Sequence, residues 1–473
     1  IYYLYSQISF SDTSISDECQ LCWHSIHSQV KNVIKTSSGT SASQSYYVRE
    51  VWSIMRVVLF VSVLLHWQLS SARIPINDHH VISPLMEPCE IRISGGGLGE
   101  PQPLILNSGA TEFIEPKDAN GIIRLNPGDD ISLFCTTGFQ SPSTTNDIIR
   151  ATCTTGTIFI IDGNKGNEMT FSNIFCKSYP YHTARKSGKT CGNGAGVDIE
   201  VGFIVKERFI ELFHICHDDI MESTMYVTHS MSPGNEGYQR SFPRPSWLSS
   251  GFFGGKNVDN IYTNVRQNAR VAEILGSQEL ADKYIKPTTT STYLARGHMA
   301  AKVDFIFGSQ QRATFWLMNV APQWQSFNVG NWERVESSTR KMASQRNTHF
   351  DVYTGTYGVM TLPDINGQHQ EIYLYFDENN NGQIPVPKIY YRVLYEKSTK
   401  RGIVLIGVNN IHITAEEAEE QNYIICEDVS DKINWINWER NDQILGYSYA
   451  CEVEEFTKVV EHFPKLEISG LYV

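Results

Sequence analysis

Arg296, Gly297 and His298 stand side by side in the stretch TYLARGHMAAKVDF, and about twenty residues later the chain reads FWLMNVAPQWQSFNVGNWERVESSTRK. An imidazole with an ordinary pKa near 6.5 is neutral at pH 7. It can take a proton from a water attacking in line with a P–O bond, which is general base catalysis worth roughly a hundredfold to ten-thousandfold. A helix that opens at Asn328 would carry Glu336 and Arg340 along one side. Eight residues at about 100° each leave Asn328 and Glu336 about 80° apart in angle and about 12 Å apart along the axis, too far for both to grip one ion. The carboxamide oxygen of Asn328 is therefore expected to bind a hard divalent cation directly, with Glu336 reaching the same ion through coordinated water. One protein ligand plus several waters suits Mg²⁺, with Mn²⁺ as a substitute, because Mg²⁺ dehydrates reluctantly and shares its shell with phosphate. Such an ion would stabilise the leaving 3′-oxygen. Arg340, one turn past Glu336, would meet the extra charge on a pentacoordinate phosphate, and Arg296 would hold a neighbouring phosphate by its fork.

Each residue also has a bland reading: a histidine packed in a hairpin, an asparagine capping a helix. Local charge weighs against taking all of them that way. The protein carries a formal net charge of -12, which argues against gripping polyanions over its whole surface. Between Ser291 and Arg346, however, seven cations (Arg296, Lys302, Arg312, Arg334, Arg340, Lys341, Arg346) face three carboxylates (Asp304, Glu333, Glu336), leaving +4. A basic island in an acidic chain is the footprint expected for a phosphate chain.

The elements that must position these groups are legible in part. Thr314 to Asn319 reads as a strand, Val320 to Phe327 as a loop with Pro322, and Asn328 onward as a helix with Asn328 as its N-cap and Val329, Trp332 and Val335 as its apolar stripe. Residues 198–473 alternate strand-like stretches (DIEVGFIV, ESTMYVTHSM, FDVYTGTYGVM, EIYLYF, IPVPKIYYRVLYE, RGIVLIGVNN) with a few helical ones. That pattern predicts an α+β domain with a mixed, largely antiparallel sheet rather than a doubly wound fold. Short β-branched stretches punctuated by Gly, Pro, Asn and Asp predict a small β-rich domain over 73–176. The basic, Gly-rich segment 177–197 between them reads as an exposed linker, with Arg185, Lys186 and Lys189 as a processing site. FDENNNGQIPVPK starts like a calcium loop, but Lys388 stands where a bidentate Glu is needed, so a hairpin turn is expected.

With 473 residues and 41% hydrophobic content, the chain can bury a sizeable core. Residues 1–54, before the first methionine, are rich in Ser and Tyr and without period, and read as an untranslated leader rather than native protein. Their Cys19-x-x-Cys22 with His24 and His27 is spaced too tightly for a zinc finger. Residues 55–72 read as a signal peptide: Arg56, the apolar run Val57 to Leu65, then small residues Ser70 and Ala72. This nine-residue run, with Ser62 inside it, falls short of a bilayer span, so a secreted, extracellular protein with no membrane part is expected. The eight cysteines from Cys89 onward form an even, widely spaced set that allows four disulfides, and Cys426 and Cys451 most simply pair with each other. No Asn-x-Ser/Thr sequon occurs.

ARGH followed by NVAPQWQSFNVGNWERVE resembles the DNA/RNA non-specific endonuclease family of ββα-metal nucleases, whose signature is Asp-Arg-Gly-His, then Asn-x-x-Pro-Gln, then Asn-x-Gly-x-Trp-x-x-x-Glu. The resemblance covers roughly residues 200–470. It implies His298 as general base, Asn328 as direct Mg²⁺ ligand, Glu336 as organiser of metal-bound water, and Arg296 and Arg340 on phosphates. Asn319 and Gln323 fall on the Asn-x-x-Pro-Gln turn, where the resemblance implies support of the site and contact with substrate. One departure stands out, since the leading Asp is Ala295 here. The Leu-Ala-Arg-Gly-His stretch, the signal peptide and the cysteine-containing amino-terminal region are similar to the secreted arthropod nucleases that degrade double-stranded RNA in gut fluid. The expected activity is thus Mg²⁺-dependent endonucleolytic hydrolysis of double-stranded RNA, and of DNA, leaving 5′-phosphates in a digestive lumen. Two alternatives stand beside it: a digestive nuclease with no duplex preference, and a secreted nucleic-acid-binding protein made inactive by Ala295.

Overall fold

The computed structural model describes residues 87–473 apart from 165, 250, 287 and 289–291. The leader and signal segment expected over 1–72 lie outside the described residues. A nine-stranded sheet forms the backbone of the carboxy-terminal part. Its strands are β1 (His182–Cys191), β2 (Gly196–Val205), β3 (Arg208–Asp218), β4 (Ser223–Met231), β7 (Phe350–Val359), β8 (Pro387–Glu396), β9 (Arg401–Val408) and β10 (Ser448–Cys451), paired antiparallel in that order, with β11 (Gly470–Leu471) parallel to β9. β8 and β9 are buried along nearly their whole length, which matches their continuous apolar runs. The fold is α+β with largely antiparallel pairing, as expected.

β4 and β7 are neighbours in the sheet, yet residues 232–349 intervene in sequence. That excursion contains the chemical motifs. It holds α1 (Val258–Ile261), α2 (Asn264–Leu275), α3 (Gln278–Tyr284), the ribbon of β5 (Leu294–His298) and β6 (Val320–Trp324), α4 (Gly308–Ala313) and α5 (Glu333–Gln345). Two strands followed by a helix are the ββα arrangement that the motifs imply.

Three local expectations are corrected. Thr314–Asn319 is not a strand, and the strand is Val320–Trp324, the segment read as a loop. Every residue from Ala313 to Trp324 is buried, so the apolar run carried no period. Pro322 is tolerated because this ribbon has only two strands and its missing N–H leaves no ladder bond broken on a third. Val329 is 62% exposed and does not share the buried stripe of Trp332 and Val335. Finally, 182–191 is not a linker but edge strand β1, where Arg185 pairs with Glu200 at 2.7 Å and Lys186 with Asp219 at 2.7 Å. Charged side chains and a bulge are what an exposed sheet edge uses to avoid further pairing, and they imitate a loop in sequence. The processing site expected at Arg185 therefore lies in paired strand.

The amino-terminal β-rich part is built on a five-stranded antiparallel sheet (Leu104–Asn107, Asp130–Phe134, Ile148–Thr155, Ile158–Ile161, Glu168–Thr170). Disulfides Cys89–Cys153 and Cys135–Cys176 staple it, and Cys191–Cys216 and Cys426–Cys451 tie the larger part, giving the four expected bridges. It is not a separate bead. Ile306 and Phe307, from the connection between β5 and β6, sit in its core with almost no exposure, and Phe307 stacks on Phe113 at 6.0 Å. Gln102 Oε1 accepts from the Ser309 backbone N–H, and Gln310 Nε2 donates to Glu115. The hairpin expected at 377–382 is present, its Asp377 carboxylate taken up by the loop's own amides at Asn379 and Asn381. No helix among the described residues is long and apolar enough to cross a membrane.

Candidate active site

In the β5–β6 ribbon His298 lies opposite Val320 and Arg296 opposite Pro322. Glycine is required between them: a Cβ at Gly297 would stand 2.3 Å from Gln323 Oε1 and 2.8 Å from Tyr390 Oη. The ribbon is held on the sheet by polar clamps. Tyr390 Oη donates to the Ala321 carbonyl at 2.8 Å, while Asn409 accepts from Trp324 N–H and donates to the Pro322 and Pro387 carbonyls.

His298 lies between Trp247, 4.9 Å away ring to ring, and Phe315, 5.0 Å away. Its Nε2 is buried and has no hydrogen-bond partner. Burial, reinforced by the Arg244 and Lys302 charges and opposed by Asp304, pulls the imidazole down to about 3, so it is neutral at physiological pH. Arg244, which stands 6.0 Å over the Phe315 ring, is thus part of this surrounding.

Arg296 is placed by an unexpected partner. Its Nη2 donates to the Asp259 carboxylate at 2.8 Å and to the Asp259 carbonyl at 3.0 Å, and its guanidinium stands 5.1 Å over Tyr262. A carboxylate from α1 therefore meets the arginine that follows Ala295.

Asn328 does not cap a helix. The chain is already helical at Gln325–Phe327, and Asn328 opens a π turn through Trp332 that bends at Gly330. π turns insert an extra residue and re-aim neighbouring side chains. The turn is braced from outside, since Asn331 bonds the backbone of Glu439 twice and the Gly446 carbonyl once. Freed from capping, Asn328 keeps only a long 3.5 Å contact from its Nδ2 to Gln325. Its oxygen accepts no hydrogen bond among the described residues.

Glu336 and Arg340 follow on α5. Glu336 is half-buried, and burial together with the Asp304 charge pushes its carboxyl up to about 8. Arg340 is turned inward: Nη1 meets Asp304 Oδ1 at 2.9 Å. The other Asp304 oxygen takes Arg392 at 2.8 Å and faces His229 Nε2 at 3.3 Å. Burial alone would raise Asp304, but Arg392, His229 and Arg340 override it and hold the carboxyl well below its usual range. Asp304 thus acts electrostatically on His298 and on Glu336, joining the two motifs. Neither Asp304 nor its partners His229 and Arg392 stand out in the sequence.

Three residues expected at the substrate, Asn319, Gln323 and Arg340, are turned inward. Asn319 is fully buried and wholly spent on backbone, bonding Ala300 N–H, the Ala300 carbonyl and the Thr314 carbonyl. It closes the connection and does not reach the surface. Gln323 is also fully buried, with both carboxamide atoms lacking partners, and packs under Gly297. Arg340, expected on a phosphate, spends its Nη1 on Asp304.

The donor set fits a hard divalent cation. The Asn328 oxygen and the Glu336 carboxylate are oxygen donors with little other employment, the class that Mg²⁺ and Mn²⁺ select. Asp198, Glu200 and His214 also bring ligand atoms within 4.8 Å of one another, on β2 and β3. There the Glu200 charge is met by Arg185, and His214 Nε2 by Glu211 at 2.8 Å.

Comparison with known sequences follows the same residues. The pattern of the DNA/RNA non-specific endonuclease family matches residues 195–456. The chain belongs to this family. It is a nuclease, a phosphodiester hydrolase. Similar proteins include the salivary endonuclease of Lutzomyia longipalpis, 26% identical over 340 residues covering 71% of this chain and 74% of that protein. Salivary protein Tsal1 of Glossina morsitans morsitans is 25% identical, covering 66% and 75%. The mitochondrial nuclease EXOG of Homo sapiens is 33% identical over 103 residues, 21% of this chain and 26% of that one. The endonuclease's motifs, from Ala295 to Arg340, lie inside the matched region.

Proposed function

We propose that this endonuclease is exported and hydrolyses double-stranded RNA, and DNA, in a Mg²⁺-dependent reaction in an extracellular fluid such as a digestive lumen. The observation that carries the reading is the buried, unpartnered Nε2 of a neutral His298 beside an oriented Arg296. A buried nitrogen without a partner costs stability, and such a cost is tolerated where the group has work to do.

In this reading His298 accepts a proton from the attacking water, with Trp247 and Phe315 fixing the ring. Arg296 holds the phosphate next to the scissile bond, its fork already oriented by Asp259. Asn328 would hold the cation, and Glu336 would order its waters. The ion supplies charge neutralisation at the phosphate and the leaving 3′-oxygen. Arg340 acts as a positioning residue through Asp304. Support for the extracellular setting comes from the four disulfides and from the salivary names of two relatives. The duplex RNA preference rests on the Leu-Ala-Arg-Gly-His resemblance.

The test uses the expressed chain with Mg²⁺ on long duplex RNA, matched duplex DNA and single strands. Cutting that EDTA stops and Mg²⁺ restores, fastest on duplex RNA, is the expected result. Equal rates on all substrates would replace this reading with a broad digestive nuclease. Binding without cleavage would leave a binding protein.

A further inference from the structure

A cleft of about 360 Å³ runs along the side of α5. Its walls come mainly from two segments, Glu236, Tyr238 and Arg240 after β4 and Arg334, Arg340 and Lys341 on α5, with Asn437 from a third. We infer that this cleft is a second phosphate subsite, holding the backbone of the same nucleic acid a short way from the bond that is cut. The inference rests on the nuclease reading above and extends it.

Three observations converge. First, the positive charge is poorly neutralised. Lys341 is exposed and has no ion-pair partner among the described residues, Arg240 meets Glu236 only at 4.0 Å, and Arg334 meets the exposed Glu439 at 3.4 Å. Arg340 is already matched by Asp304, and Glu236 and Glu333 line the same walls, so the remaining cations Arg240, Arg334 and Lys341 face two carboxylates in a protein of net charge -12. Exposed pairs of this kind contribute little and are readily exchanged for a phosphate. Second, the cations point together. Arg240 and Arg340 both stand against the Tyr238 ring, at 5.3 and 5.6 Å, which gathers guanidinium groups from two chain segments around one concave space. A merely solvated helix face would not draw in a second segment. Third, the cleft adjoins the reaction site. Arg340 is a wall of the cleft and also the partner of Asp304. Lys341 is five residues past Glu336, about 7.5 Å along the helix. Backbone charges recur about every 3.4 Å of duplex axis on each strand, so a strand lying at Glu336 presents further phosphates to Lys341 and Arg334.

The test compares the full chain with the Arg334→Ala/Lys341→Ala double variant on two substrates: long duplex RNA, and bis(p-nitrophenyl) phosphate, which has no flanking phosphates. The expected result is a KM for duplex RNA raised about tenfold, a slope of log KM against log salt shallower by roughly 2, and an unchanged kcat on the small ester. Ser337→Glu, which puts a carboxylate into the cleft and removes no ion pair, should raise the duplex KM in the same direction. An active double variant and an active Ser337→Glu, both with wild-type KM and wild-type salt slope, would overturn the subsite alone. A wild-type chain that cuts neither substrate would instead overturn the nuclease reading beneath it.

Discussion

Arg340 and Asp304 meet across 2.9 Å in the interior, and the same carboxylate is shared with Arg392 at 2.8 Å. Two buried guanidinium groups thus depend on one anion. Removing one partner of a buried pair leaves an uncompensated charge and costs about 3–5 kcal/mol. Asp304→Asn is therefore expected to lower the melting temperature by several degrees and to abolish activity, because α5 loses the anchor that sets Arg340 and Glu336. Calorimetry beside a duplex RNA assay checks it. A variant as stable as the parent would show that the guanidinium groups find other partners.

His298 presents the opposite balance. Its Nε2 is buried and unpaired, so the side chain is a liability to folding. His298→Leu should melt at the same temperature as the parent or higher, while kcat falls by roughly a hundredfold to ten-thousandfold. Thermal unfolding and single-turnover cleavage on the same preparation measure both. Undiminished cutting would remove His298 from the mechanism.

What could be read in the sequence and what could not divide along physical lines. Spacing within one element was legible for Glu336 and Arg340, which share α5, whereas Asn328 was singled out by the motif and stands on the π turn before that helix. The strand in front of them was not, because FWLMNVAPQW is buried on every side and a run without exposed positions has no period. Val329 was misplaced since the bend at Gly330 breaks the helical register, which composition does not announce. Asp304 was invisible for another reason. Its partners Arg340, Arg392 and His229 come from α5, β8 and β4, and only the folded sheet brings them to one carboxylate. Asp259 lies 37 residues before the arginine it holds, so its role too belongs to the tertiary structure.

The Asp259 contact makes a sharp prediction about Ala295. Asp259 is 55% exposed, and a pair at such a site adds little to stability. Asp259→Ala should leave the melting temperature unchanged within a degree or two, yet raise KM for duplex RNA about tenfold because Arg296 loses its fixed orientation. Restoring the family's acid with Ala295→Asp should bring no gain in the parent, where Arg296 is already held. If Asp259→Ala cuts faster, the carboxylate competes with phosphate instead of orienting the fork.

The insertion of Ile306 and Phe307 into the amino-terminal core predicts that the two parts unfold together. Residues 87–176 contain no tryptophan, so tryptophan fluorescence does not report the β-rich part directly. Phe113→Ala, a change made within that part at the Phe307 stack, should nevertheless lower the denaturant midpoint seen by fluorescence, and far-ultraviolet circular dichroism should give the same midpoint. Phe307→Ala should cost about 3–5 kcal/mol by the same readouts. A fluorescence midpoint that ignores Phe113→Ala would show two independent units.

Acid should weaken the fold through histidines that are buried neutral. Burial pulls His182, His217, His412 and His462 each down to about 4 from the ordinary 6.5. Below pH 6.5 the unfolded chain binds protons at these positions while the native chain does not, so stability rises with pH and is lost as pH falls from about 6.5 toward 4. For the fully buried His217 the loss at pH 5 is about 2 kcal/mol, and less for the three that keep some exposure. Glu115 and Glu336 work the other way, since burial pushes their carboxyls up and the native state takes those protons first. Four imidazoles against two carboxyls leave a net acid loss, and a bound cation that ionises Glu336 would widen it. Melting temperatures measured from pH 7.5 to 4.5 should therefore fall steadily, and His217→Gln should flatten the slope. A melting temperature constant over that range would mean that these histidines gain solvent or a counter-charge in the native state that their burial does not give them.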